Sequence, residues 1–242
     1  MATFVLVHGS WHDGAAWAPV IKHLESKGHR AFGPTVAGHG KGVNKKNVNH
    51  VQCTQSIVDY IVSNNLTDVV LLGHSFGGTI IAKVAEAIAD RLRRLIFWNG
   101  FVLNDGECLN DNVPLHYRAL FDSMSQASED FTVMLPFPIW REAFINDADL
   151  ELATWSYEQL SPEPYQPFLD KLDMKKFYSL EIPKSYINCT EDTSLPHGEW
   201  SWHPRMSNRL GLFRLVQMPG SHEVIFSNPT GLAEKIIEAG RD

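Results

Sequence analysis

Cysteine is scarce. Cys53, Cys108 and Cys189 are the only three in 242 residues, an odd number set far apart. That excludes a disulfide-stapled scaffold and, with no C-x-x-C pair, a thiolate metal site. Reduced thiols fit a cytoplasmic compartment. Basic charge is also short, with 21 Lys and Arg against 28 Asp and Glu and a net charge of −7. A chain without a basic stripe does not neutralise a phosphate backbone, so nucleic acid is not expected as a partner. No run approaches the roughly 18 apolar residues of a membrane span. The opening MATFVLVHG has neither a basic n-region nor a small-residue cleavage site, and reads as the start of the fold. What is present is an ordinary globular composition, 44% hydrophobic and 20% charged, in a chain long enough for one large core.

Residues 1 to 103 alternate short apolar runs with helical patterns. Phe4 to Val7, Ala31-Phe32, Val69 to Leu72 and Arg94 to Trp98 read as strands. Between them Trp17, Val20, Ile21 and Leu24, then Ile57, Val58, Ile61 and Val62, then Thr79 to Ala89, recur at helical spacing. Strands alternating with helices predict right-handed crossovers and a mostly parallel sheet with helices on both faces. Residues 104 to 180 lack β-branched runs and are dense in proline and aromatics, which predicts a helical cap inserted into the core. The alternation resumes over 181 to 242, with strands at Ser185 to Cys189 and Phe213 to Met218 and a closing helix at Thr230 to Glu238. One α/β core carrying one cap is the expected organisation.

The sharpest local signal is Gly73-His74-Ser75-Phe76-Gly77-Gly78, directly after an apolar strand and before a helix. This G-x-S-x-G pattern in a strand–turn–helix setting exposes a serine hydroxyl at a helix N-terminus, where developing negative charge is favoured. A glycine-rich turn capped by a serine is the bland alternative; the flanking strand and helix argue against it. Ser75 is therefore the expected nucleophile. Of 11 histidines, His222 has the right place for its base, in the Pro219-Gly220-Ser221-His222 loop past a late strand. Asp192, past the Ser185 to Cys189 strand, is the expected orienting acid. Its neighbour Glu191, and Asp105 or Glu107 after the fourth strand, remain alternatives. The small-residue loop His8 to Gly14 and the residue after the nucleophile predict an oxyanion hole from the Ser10 and Phe76 backbone N–H groups. Gly9, Trp11 and Trp140 are expected to contact substrate. His8 and His12 read as structural, because they lie in a loop without an H-E-x-x-H pattern, and so does His74, because adjacent side chains diverge across the turn.

These residues resemble the α/β-hydrolase superfamily. The nearer similarity is to its branch of plant methyl esterases, such as methyl salicylate esterases, and plant hydroxynitrile lyases. It rests on Phe4 to Gly9, Gly73 to Gly78, Leu160-Ser161-Pro162-Glu163, Cys189 to Asp192 with Leu195-Pro196, and Gly220-Ser221-His222. A looser likeness joins bacterial hydrolases of xenobiotic esters and carbamates. The resemblance implies the α/β-hydrolase fold, Asp192 as the triad acid, and no metal or organic cofactor. The lyases carry a lysine after the catalytic histidine and a threonine at the position of Gly9; this chain has Glu223 and Gly9, which favours hydrolysis. The expected activity is a serine carboxylesterase cleaving a small hydrophobic or aromatic ester, such as a methyl ester or methyl carbamate, through an acyl-enzyme. A hydroxynitrile lyase, a cofactor-free oxygenase or a hydrolase-like ligand receptor are the alternatives on the same fold. A homodimer is compatible with this reading.

Overall fold

The computed structural model describes residues 1–242. Six strands form one sheet in the order β2-β1-β3-β4-β7-β8, and every neighbouring pair is parallel. They are β1 (Thr3–Val7), β2 (Arg30–Phe32), β3 (Val69–His74), β4 (Leu92–Trp98), β7 (Lys184–Cys189) and β8 (Arg214–Met218). β3 lies at the centre and is buried along its whole length, which is why its sequence is a continuous apolar run and not an alternating one.

Side chains alternate between two cores, one on each face of the sheet. Phe4, Leu6, Val70, Leu72, Ile96 and Trp98 point to one face. There they meet Val20 and Leu24 of α1 (Ala18–Ser26) and Leu232 and Ile236 of the closing helix Pro229–Gly240. Val5, Val7, Leu71, Leu95 and Phe97 point to the other, against Ile57 and Ile61 of α2 (His50–Ser63) and Ile80 and Val84 of α3 (Gly77–Ala87). This second core continues without a break into the aromatics contributed by residues between β4 and β7. Both faces are thus covered by helices, as the strand–helix alternation predicts.

The segment between β4 and β7 is not purely helical. It holds α4 (Leu115–Ala127) and the helix Leu150–Gln159, started by Asp149, whose carboxylate accepts from Leu152 N–H at 2.8 Å. It also holds a two-stranded antiparallel ribbon, β5 (Thr132–Val133) with β6 (Glu163–Pro164). Strands of two residues leave no periodicity to read, so the sequence pattern could not reveal them. β3 also runs two residues past its apolar run, because Gly73 and His74 stay in register with Val7 and with Phe97 and Trp98. The C-terminal ends of β1, β3, β4, β7 and β8 open on one edge, and strand order switches direction between β1 and β3. That edge, under the inserted segment, is where ligand chemistry gathers in such sheets.

Candidate active site

At the end of β3 the chain turns so sharply that Ser75 takes φ +51°, in the left-handed region that non-glycine residues avoid. The turn is held by the Ser75 N–H donating to Trp98 O at 3.2 Å, and by Ser75 O accepting from the N–H groups of Gly78 and Phe101 at 3.0 Å each. A Cβ at Gly73 would lie 2.4 Å from Gly77 O, and one at Gly77 would lie 2.7 Å from His8 O. Only glycine lets these backbones approach, which explains both glycines of the motif. α3 begins two residues after the serine.

The loops after β7 and β8 bring Asp192 and His222 together. His222 Nδ1 donates to Asp192 Oδ2 at 2.6 Å, with both side chains almost fully buried. Asp192 Oδ1 accepts from Ser194 N–H at 2.8 Å and from the Ser194 hydroxyl at 2.6 Å, while Asn99 Nδ2 donates to Oδ2. Burial alone would raise the Asp192 pKa. The His222 charge and the side-chain donors of His222, Ser194 and Asn99 outweigh it and hold the carboxyl below its ordinary range. For His222 burial acts downward, yet the Asp192 charge and hydrogen bond, with Glu223 adding, carry the imidazole above its ordinary value. The ring stacks on Trp202 at 5.1 Å and 17°, makes a T-shaped contact with Phe144 at 5.4 Å, and has the tilted ring of His74 at 4.6 Å.

Ser75 and His222 share the wall of one cavity with Ser10 and Ser194. No direct hydrogen bond joins the Ser75 hydroxyl to His222; such bonds commonly tighten only once substrate is seated. The rest of the wall is apolar, with Trp11 and Trp202 from the core and Tyr117, Phe121, Phe144 and Phe168 from the insertion. Its empty volume is about 380 Å³. Rings supply most of the wall, which suits a small apolar or aromatic group. The backbone N–H groups of Ser10, which lines the cavity, and of Phe76, which does not, belong to buried residues and make no hydrogen bond within the chain.

Two expected substrate contacts are corrected. Gly9 lies outside the cavity wall; a Cβ there would stand 2.9 Å from His74 Nδ1 and 3.0 Å from Ser75 Cβ, so its smallness makes room for the serine turn. Trp140 is also outside the wall. It is fully buried in the insertion, where its Nε1 donates to Ser156 Oγ at 3.1 Å and its ring stacks on Phe144. Trp11, by contrast, lines the cavity.

The alternative acids are engaged elsewhere. Glu191 accepts from Gly220 N–H at 3.1 Å. Asp105 accepts from Met174 N–H at 2.9 Å, and Glu107 binds Asn104, Asn112 and Arg209. His74 stacks on Trp98 at 3.8 Å, and His8 is fixed between Gly9 O and Val36 N–H. His12 Nε2 lies 3.0 Å from the buried Glu223 carboxylate. The ligand atoms of His74, His222 and Glu223 come within 4.8 Å of one another. His222 Nδ1 is bonded to Asp192, whereas His74 Nε2, His12 Nε2 and Glu223 Oε2 are buried without a hydrogen-bond partner. The pattern of the sequence did not single out Asn99, Ser194 or Trp202, which hold Asp192 and His222. The Asn99-Gly100 pair at the end of β4, facing the same edge as the other loops, was the available signal for Asn99.

Residues 4–235 match the model of the alpha/beta hydrolase family. Among curated relatives, a carbendazim hydrolyzing esterase from Nocardioides sp. (strain SG-4G) is 29% identical over 250 residues, spanning 99% of this chain and 100% of the relative. Among solved structures, an extracellular alpha/beta-hydrolase from a Paenibacillus species, described as sharing structural and functional homology with tobacco salicylic acid binding protein 2, superposes with a TM-score of 0.97. It is 43% identical, and both chains are covered in full. A pyrethroid hydrolase from Sphingobium faniae JZ-2 superposes with a TM-score of 0.81 at 26% identity, covering 99% of this chain and 97% of its own. The cytoplasmic expectation drawn from cysteine usage stands against the extracellular description of the Paenibacillus relative. No helix is long and apolar enough to cross a membrane. Serine turn, parallel sheet and whole-length similarity agree: the chain belongs to the alpha/beta hydrolase family.

Proposed function

We propose that this protein is a serine esterase that cleaves a small hydrophobic or aromatic ester, such as a methyl ester or methyl carbamate. The observation that carries the reading is the 2.6 Å bond from His222 Nδ1 to Asp192, in a ring that shares its cavity wall with Ser75. With Nδ1–H spent on the carboxylate, Nε2 is left as the basic nitrogen. Nε2 takes the Ser75 proton as Oγ attacks the substrate carbonyl. The unpaired N–H groups of Ser10 and Phe76 receive the oxyanion. The tetrahedral intermediate collapses to an acyl-serine, and His222 returns its proton to the departing alcohol. Water then repeats the sequence and frees the acid.

The mostly aromatic wall supports a hydrophobic or aromatic acyl group, and it holds no lysine or arginine to recruit an anionic one. A carbendazim hydrolyzing esterase among the relatives supports including carbamates. Glu223 stands where the resembling lyases carry lysine, and its carboxylate is buried against His12. That arrangement argues against holding cyanide there.

The test is a screen of aryl, methyl, carbamate and lactone substrates with the wild-type chain and Ser75→Ala, alongside labelling by an active-site organophosphate. Wild type should turn over at least one ester and take up one label at Ser75. Ser75→Ala should lose both, keeping only the residual ~10³–10⁴ over water that oxyanion stabilisation and binding supply. Turnover of the same ester at near wild-type rate by Ser75→Ala overturns the reading.

A further inference from the structure

Trp11 is held at φ +66°, a conformation that a bulky side chain rarely adopts. The inserted segment holds it there through three hydrogen bonds. Its N–H donates to Glu163 Oε2 at 2.9 Å, its carbonyl accepts from Ser161 N–H at 2.9 Å, and its indole Nε1 donates to Val133 O at 3.1 Å. Glu163 and Val133 are paired residues of the β5–β6 ribbon. The ribbon therefore grips the loop that carries Ser10.

Glu163 is wholly buried, and its other oxygen accepts from His39 Nε2 at 2.9 Å. His39 Nδ1 donates to Ala37 O at 3.0 Å, so both ring nitrogens carry protons and the ring is an imidazolium. Burial would lower the His39 pKa, but the Glu163 charge and hydrogen bond raise it above the ordinary value, which agrees with that assignment. The same ring lies parallel to Phe76 at 6.0 Å and 21°. One carboxylate thus touches both sides of the site. It binds the peptide next to Ser10, and it anchors the ring packed on Phe76.

A peptide is planar and trans, so an N–H aimed at Glu163 turns the Ser10 carbonyl the opposite way. Without that acceptor, Trp11 can leave its strained φ by rotating the Ser10–Trp11 peptide, which releases the loop that holds the preceding Gly9–Ser10 peptide and its N–H. We propose that Glu163 is a positioning residue for the oxyanion site, fixing through Trp11 and His39 the backbone that presents the Ser10 and Phe76 N–H groups. This rests on the esterase reading given above, and it makes the insertion a structural part of the catalytic centre.

The test compares Glu163→Met, Glu163→Asp and Glu163→Gln with wild type in turnover and in binding two ligands of one shape. Trifluoroacetophenone adds the Ser75 hydroxyl across its carbonyl, with the proton passing to His222 and the alkoxide facing the oxyanion donors. Acetophenone stays planar. Glu163→Met should lower kcat and trifluoroacetophenone affinity together by about 10–100-fold, the scale of a displaced oxyanion donor. KM and acetophenone affinity should change only a few-fold. Glu163→Asp keeps the charge beside His39 but falls a methylene short of Trp11, and should show the same split even if the Met variant does not fold. Glu163→Gln should restore most of the turnover, since its amide oxygen accepts from Trp11 N–H while its NH₂ donates to a neutral His39. A folded Met or Asp variant with wild-type kcat overturns the proposal, and so does a Gln variant as slow as either. Wild type must also bind trifluoroacetophenone in a way that Ser75→Ala abolishes. If it does not, the esterase reading itself falls and the positioning role falls with it.

Discussion

Replacing Asp192 with asparagine changes one atom and leaves shape intact, yet the surroundings of this carboxylate make it a severe change. Four donors converge on it: His222 Nδ1–H, Asn99 Nδ2–H, and the N–H and hydroxyl of Ser194. An asparagine offers one oxygen. If that oxygen faces Ser194, the new NH₂ meets the donors of Asn99 and His222. The imidazole must then shift its proton to Nε2, where it can no longer take one from Ser75. If the oxygen faces His222, the NH₂ meets the Ser194 N–H and hydroxyl. Either way at least one buried donor loses its acceptor, at about 1–3 kcal/mol of stability each. A Ser-His-Asp triad given the wrong tautomer loses on the order of 10⁴ in kcat, which corresponds to about 5 kcal/mol of transition-state stabilisation. Glu191→Gln is the control. Its oxygen still accepts from Gly220 N–H, so turnover should change less than about twofold, within the small effects typical of surface sites. The assay is kcat and KM on one ester for wild type and both variants, with thermal melting to separate stability from chemistry. A crippled Glu191→Gln beside an active Asp192→Asn would refute the assignment. Two active variants would refute the whole triad, because Asp105 and Glu107 are tied to other partners.

Turnover should rise with pH along a limb set by His222, since only the neutral ring accepts the serine proton. The Asp192 charge raises that pKa above the ordinary imidazole value of about 6.5, so the limb should lie above it. A limb clearly below about 6, or a flat profile in folded protein, would contradict the base assignment. Combining Glu223→Lys with Gly9→Thr copies two features of the resembling lyases, yet the surroundings predict damage and no new activity. A side chain at Gly9 would strike His74 and Ser75, and an ammonium would replace a buried carboxylate beside His12. Stability should fall by about 3–5 kcal/mol, read by denaturant unfolding, and ester turnover should drop. Rapid mandelonitrile cleavage by the double variant would show that Gly9 and Glu223 alone separate the two chemistries.

The core of the fold was legible because its signals are local. Val69 to Leu72 is a run that only a strand buried on both faces explains, and Ser75 stands in a motif whose glycines answer to single close contacts. The loops carrying Asp192 and His222 could be placed because each follows a recognisable strand. What stayed hidden depends on contacts far apart in sequence. Asn99 meets Asp192 across 93 positions, and Glu163 meets Trp11 across 152. The β5–β6 ribbon leaves no period in four residues. Trp140 was expected in the cavity because it is a tryptophan in the insertion, and composition says which residues are large, not which way they face.

The packing around His222 has a consequence for the order of events. Trp202 stacks on the ring, and Phe144 and His74 pack against it at 5.4 and 4.6 Å. With Nδ1 also bonded to Asp192, turning the imidazole over would mean parting a stack and breaking a buried ion pair. In the proposed mechanism the proton taken from the serine and the proton taken later from water therefore pass through one nitrogen, in one small cavity. Alcohol and water cannot occupy that spot at once. In the proposed esterase they use it in turn, so the acyl-serine is a branch point whose fate depends on which of the two arrives. Added short-chain alcohol would then compete with water for the acyl group and divert part of the flux to a new ester, while the rate of acylation stays the same.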